Sequence, residues 1–163
     1  MKFKDYLIES FDTKPVSFKR IRNVDNISKY RFEIDSVTYT VFFQRKSTSI
    51  LKLRGEPEVI WDVSFSAKQP GKKLTPFGIT NTGNQFKVLS TVMAIMSKFI
   101  DERPDTEVLA FSAVKETLGG QAGARTQVYR RLVKRNVRKL PGNWEFTELD
   151  LQDEVKFILS EQP

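Results

Sequence analysis

The chain has 163 residues, 39% of them hydrophobic and 12% aromatic, enough for one domain with a real buried core. It contains neither cysteine nor histidine, which excludes disulfides, thiolate nucleophiles, Cys/His zinc sites and histidine general-base catalysis. Its net charge of +7 is carried by residues 113–140, where eight Lys/Arg stand against one acid, Glu116, and such a concentration attracts polyanions.

In chain order, residues 3–11 (FKDYLIESF) read as a short amphipathic helix with Phe3, Tyr6, Leu7 and Phe11 on one side. Lys14-Pro15 breaks it, and residues 16–22 alternate loosely, as an edge strand would. Residues 23–28 read as a loop. Residues 29–34 and 37–45 are β-rich runs joined by Asp35-Ser36, a two-residue link that predicts a tight hairpin. Residues 46–57 are polar and hold Gly55 and Pro57, so a loop is predicted there. In residues 58–67 (EVIWDVSFSA), Val59, Trp61, Val63 and Phe65 form one face, and Ile60, Asp62, Ser64 and Ser66 the other. That is a strand with one buried face and one polar face, and the polar face suits either a ligand wall or ordinary solvent. Residues 68–75 (KQPGKKLT) form a basic loop.

The stretch from Gly78 to Val137 organises the rest. A Gly/Asn/Thr loop leads into a helix over about Asn84–Glu102, with Phe86, Leu89, Val92, Met93, Met96, Phe99 and Ile100 on one stripe. Thr82 or Asn84 can cap its start, and Pro104 ends it. Residues 107–112 (EVLAFS) read as a buried strand. After a glycine-rich loop comes a basic helix, with Val128, Tyr129, Leu132, Val133, Val137 and Leu140 on one half. Arg130, Arg131, Lys134, Arg135 and Arg138 fill the other. That stripe suits a polyanion such as nucleic acid, and equally a solvated surface. Two helix N-termini with free backbone N–H groups are suited to an anion. Pro141-Gly142 then punctuates the chain before two last strands over residues 143–149 and 154–159. The order predicts a single α/β (α+β) domain spanning residues 1–163, with a mixed sheet flanked by helices. With no apolar run of bilayer length and no signal-peptide pattern, the expectation is a cytoplasmic protein without a membrane partner.

This order, and the loop that opens the long helix, resemble the GNAT-type N-acetyltransferase superfamily over roughly residues 29–160, with residues 1–28 as an extension. The resemblance implies a GNAT-like fold in which the strand over 58–67 and the strand over 107–112 splay apart around the pantetheine arm of acetyl-coenzyme A. It implies that the backbone of Asn81, Thr82, Gly83 and Asn84 cradles the pyrophosphate. Arg125, at the start of the basic helix, would meet a phosphate, and Tyr129 would protonate the departing thiolate. No metal is implied. The loop departs from the family pattern Gln/Arg-x-x-Gly-x-Gly/Ala at Gly78 and Asn81, and residues 23–28 are too few for the two helices that usually follow the family's first strand. Among carboxylates, Glu107 is a general-base candidate at the start of its strand, where a surface role is equally suited.

Two functions follow. One is an acetyl-coenzyme A-dependent N-acetyltransferase. The other is a non-catalytic relative that keeps the fold and binds a polyanion or a protein partner through the basic helix. The opening MKFKDYLIES is similar to the starts of tailed-bacteriophage proteins, which would make the second a virion or accessory protein with phage structural partners, in host cytoplasm or virion.

Overall fold

A computed structural model describes residues 14–46, 59–71, 73, 75–76, 85–114, 130–131, 133–150 and 154–162. Strands form where apolar and polar residues alternate: β1 (Lys19–Val24), β2 (Ile27–Ile34), β3 (Val37–Lys46) and β4 (Ile60–Lys68). The two-residue β5 (Thr75–Pro76) precedes helix α1 (Gln85–Glu102), and β6 (Val108–Val114) follows it. Residues 130–131 and 133–136 are helical and run into a 3-10 turn, Val137–Lys139, ahead of β7 (Trp144–Asp150) and β8 (Glu154–Glu161).

Among the described residues these strands make one sheet in the order β1-β2-β3-β4-β6-β8-β7, with β5 paired on β4 off that path. Only β4 and β6 pair in parallel; every other pair is antiparallel. A parallel pair needs a crossover, and α1 supplies it. The result is an α+β domain with a mixed central sheet flanked by helices, broadly GNAT-like.

The core lies between the sheet and the helices. Val41, Phe43, Trp61 and Val63 meet the α1 stripe, where Phe99 stacks on Phe43 at 4.0 Å and meets Trp61 edge-on at 5.0 Å. Val133 and Val137 of the second helical segment and Leu140 just after it join the same cluster. α1 is buried more widely than its predicted stripe, since Val88, Ile95 and Thr91 are also inside. Thr91 is polar there because the incoming chain crosses α1: Val16 N–H donates to Thr91 Oγ1 at 3.0 Å, and that hydroxyl donates to the Lys87 carbonyl.

Six strands occur within two residues of their predicted limits, and the edge strand lies at 19–24 rather than 16–22. Residues 23–28 are not a loop. They are the ends of β1 and β2 around the turn at Asp25-Asn26, with Val24 opposite Ile27. The Ser28 hydroxyl donates to Asn23 Oδ1 within this polar hairpin at 2.8 Å, and contacts from Arg103, described below, add to it. The hairpin leaves no chain for helices between β1 and β2. At Asp35-Ser36 both residues have positive φ (50° and 67°), the mirror-image turn that matches strand twist. The predicted loop over 68–75 ends in β5, which returns to β4. Ile60, placed on the polar face, is buried; with Val108 and Ile158 it forms a second, smaller cluster. The predicted helix over 3–11 and the loop over 46–57 lie outside the described residues, apart from Lys46.

Candidate functional site

The parallel pair in mid-sheet is short. β4 and β6 are in register only at Ile60–Val108, Trp61–Leu109 and Asp62–Ala110. Beyond these, residues 63–68 of β4 continue against β3, and residues 111–114 of β6 continue against β8. Each strand is thus held on its outer edge while the inner edges part, and the sheet opens as a fork. β3 occupies the outer edge of β4 throughout, so β5 must take the inner one, at Ser66 and Ala67. The stretch 63–65 lies between the last pair with β6 and the first pair with β5.

The two sides of the fork differ. Toward the helices, Phe65 and Phe111 are half-buried against the core, and Phe111 stacks on Phe157 at 5.1 Å. Toward the other face lie Asp62, Ser64 and Ser66, of which Ser64 is exposed. Asp62 is 3.6 Å from Lys46, an ion pair on half-exposed side chains. Glu107 is exposed and precedes the paired end of β6, so it stands at the closed end of the fork. α1 runs back over the sheet, with Phe99 above Trp61 at the closed end. Its first turn, which holds no acid, therefore faces the open end. An N-terminus without acids in its first turn favours an anion over a cation beside it.

Asn81, Thr82, Gly83, Asn84, Arg125 and Tyr129 lie outside the described residues. The basic stripe lies partly within them. Arg131, Lys134, Arg135 and Arg138 are exposed at helical three- and four-residue steps, while Val133 and Val137 between them are buried. Arg130 differs, because its Nε donates to Glu148 Oε1 on β7. It ties the helical segment to the sheet rather than extending the stripe.

One polar cluster, centred on Arg103 just after α1, carries no signal in the sequence. Its Nη2 donates to Asn23 Oδ1 (2.5 Å), Val24 O (2.8 Å) and Ser28 Oγ (3.3 Å). Its guanidinium carbon lies 4.7 Å from the Trp61 ring centre. Beside it, Glu102 accepts from Arg20 Nη1 at 2.7 Å and from the Tyr30 hydroxyl at 3.1 Å. Burial pushes the Tyr30 hydroxyl up to about 12, with the Glu102 charge and hydrogen bond adding to the rise. This cluster pins the β1–β2 hairpin to the C-terminus of α1, at the end of the sheet opposite the fork, and is structural. Cations beside the last turn of a helix also complement its dipole.

Among the described residues no group of carboxylates is arranged to hold a metal ion, and no helix is long and apolar enough to cross a membrane. No curated protein matches the chain. Comparison with protein families matches residues 26–158, which take in the hairpin turn, the fork and most of the last strand. On that match the chain belongs to the DUF6934 family, a family of unknown function.

Proposed function

We propose that the protein is an acetyl-coenzyme A-dependent N-acetyltransferase, with the fork as the seat of the cofactor arm. The observation that supports this is the parallel pair that opens after Asp62–Ala110. With β5 set aside, the sheet order reduces to 1-2-3-4-5-7-6, and the opening falls between the fourth and fifth strands. An extended arm bearing amides fits a parted strand edge, because backbone N–H and C=O groups can pair with it as with another strand. The half-buried Phe65 and Phe111 suit the arm's aliphatic stretches.

In this reading the backbone of Asn81 to Asn84 holds the pyrophosphate ahead of α1, and Arg125 meets a phosphate. Acetyl-coenzyme A supplies an activated acyl group as a thioester. An amine nitrogen attacks the acyl carbon, the carbon–sulfur bond breaks, and the Tyr129 hydroxyl gives its proton to the sulfur. The proton that the amine loses passes through water and restores the Tyr129 hydroxyl. Gly83→Val should abolish binding, since a β-branched residue resists positive φ and close approach. Tyr129→Phe should leave binding intact and slow turnover by roughly 10²–10⁴-fold, the usual scale of general acid catalysis. Titration of both variants, with thiol release over a panel of amines, reads the two effects separately. A Tyr129→Phe protein with unchanged turnover would remove that residue from the chemistry.

A second reading rests on the exposed Arg131, Lys134, Arg135 and Arg138. It makes the protein a non-catalytic relative that meets a polyanion, or an acidic partner in a virion or accessory role, through this helix. Charge reversal at three of these positions should then abolish a strongly salt-dependent binding.

A further inference from the structure

The face of the β1–β2–β3 half of the sheet that points away from α1 carries a group of cations. Residues opposite each other in an antiparallel pair share a face. Lys19 stands opposite Arg31, and Arg22 opposite Lys29. Period-two alternation alone would send Lys19 and Arg22 to opposite faces. The register shift between Arg20 and Arg22 is a bulge that brings both to the same one. Arg20 and Asn23 point the other way, to Glu102 and Arg103 at the end of α1, which fixes the assignment. In the next strands Phe42 lies opposite Lys29, and Ser64 opposite Phe42.

Lys19, Arg22, Arg31 and Ser64 are exposed, and Lys29 and Phe42 are half-buried, with the Lys29 ammonium 5.2 Å from the Phe42 ring centre. Like charges placed directly opposite one another work against a sheet. Here two such pairs adjoin, and none of the four cations has an ion pair among the described residues. The acids nearest on this face are engaged elsewhere: Glu33 accepts from Thr38, and Asp62 pairs with Lys46. Charged side chains on an edge strand guard against aggregation, which accounts for β1. It does not account for Lys29 and Arg31, because β2 is an interior strand.

We propose that this face binds single-stranded nucleic acid, with phosphates on Lys19, Arg22, Lys29 and Arg31 and a base on Phe42. A sheet face with an aromatic ring among cations suits a chain that alternates phosphates with stackable bases. An acidic protein or an anionic membrane offers the cations no regular alternation of phosphate and planar base, and a duplex hides its bases. The proposal stands apart from the fork and from the basic helix, and it survives the failure of either reading above.

The test is fluorescence anisotropy of the full chain with a labelled oligothymidine of about twelve nucleotides. Four phosphate contacts on a single strand give a slope of log Kobs against log salt of about −2.8. The double variant Lys29→Gln/Arg31→Gln should weaken binding at least about tenfold and reduce that slope by about 1.4. Phe42→Leu should weaken binding about tenfold and leave the slope unchanged, since a stacked base carries no charge. The pair Arg131→Gln/Lys134→Gln should weaken binding less than Lys29→Gln/Arg31→Gln does. Circular dichroism of each variant checks the fold, and all of these positions are exposed or only half-buried. Absence of binding at about 50 mM salt overturns the proposal. So does loss confined to the helix variant. Equal binding to duplex or to phosphatidylserine vesicles, indifferent to Phe42→Leu, would overturn it in favour of a plain anion surface.

Discussion

Arg103 is the side chain on which the most described contacts converge. Its planar donors reach a side-chain amide, a hydroxyl and a backbone carbonyl of one hairpin while its face covers Trp61. Hydrogen bonds from a charged group and a cation–π contact together place the cost of Arg103→Met at about 2–4 kcal/mol. Urea unfolding measures it, and amide exchange at residues 22–24 should quicken more than in α1. Lysine should rescue little, because an ammonium cannot present the same planar set of donors. Tyr30 next door sets a pH dependence. Its hydroxyl ionises near 10 in the unfolded chain and at about 12 in the folded one, so folding holds the proton more tightly. The stability tied to that proton is whole below pH 10 and is lost as pH rises from 10 through 12. The loss amounts to about 2–3 kcal/mol for a rise of this size. Tyr30→Phe should be less stable near neutrality by about 1 kcal/mol and show a flatter decline above pH 10. Equal alkaline limbs in the two proteins would contradict this account.

Among the elements, the β2–β3 hairpin shows how far local sequence reaches. Two β-rich runs around Asp35-Ser36 predict a tight turn, and the turn is there with positive φ at both residues. Ser36 holds a left-handed conformation that disfavours residues with a Cβ, so Ser36→Gly should stabilise the fold by about 0.5–1 kcal/mol, read from the shift in urea midpoint. A destabilised variant would mean that the serine side chain contributes more than its strain costs. The helix over 85–102 was equally legible, because its apolar stripe and the stop at Pro104 are local signals. The β1–β2 hairpin was not, since Asn23, Asp25, Asn26 and Ser28 look like a loop, and part of what fixes them comes from Arg103, far along the chain. β5 was hidden too, as two residues carry no periodicity. The cations of β1 and β2 escaped for another reason. Charge summed over segments finds Arg131 to Arg138, whereas Lys19, Arg22, Lys29 and Arg31 gather only after the bulge sets the register. Of the candidate site, the splayed strand pair was expected through a family resemblance, while the identity of Asp62's partner, Lys46, required the sheet.

At the scale of the molecule, the sheet has two ends with different tasks. At the closed end, Trp61, Phe99 and Phe43 stack beneath Arg103, and the Glu102 cluster fastens the edge hairpin. At the open end, β4 and β6 part beneath the first turn of α1. A rigid base and a parted mouth are what a strand-like ligand needs, because the backbone edges are held in place before the ligand arrives. In the proposed function this mouth takes acetyl-coenzyme A. Isothermal titration of the unmodified protein with acetyl-coenzyme A tests it most directly, and it requires no knowledge of the acceptor amine. A saturable heat with one ligand per chain is expected, lost in Gly83→Val and retained in Tyr129→Phe. No heat with the cofactor at millimolar concentration would contradict it.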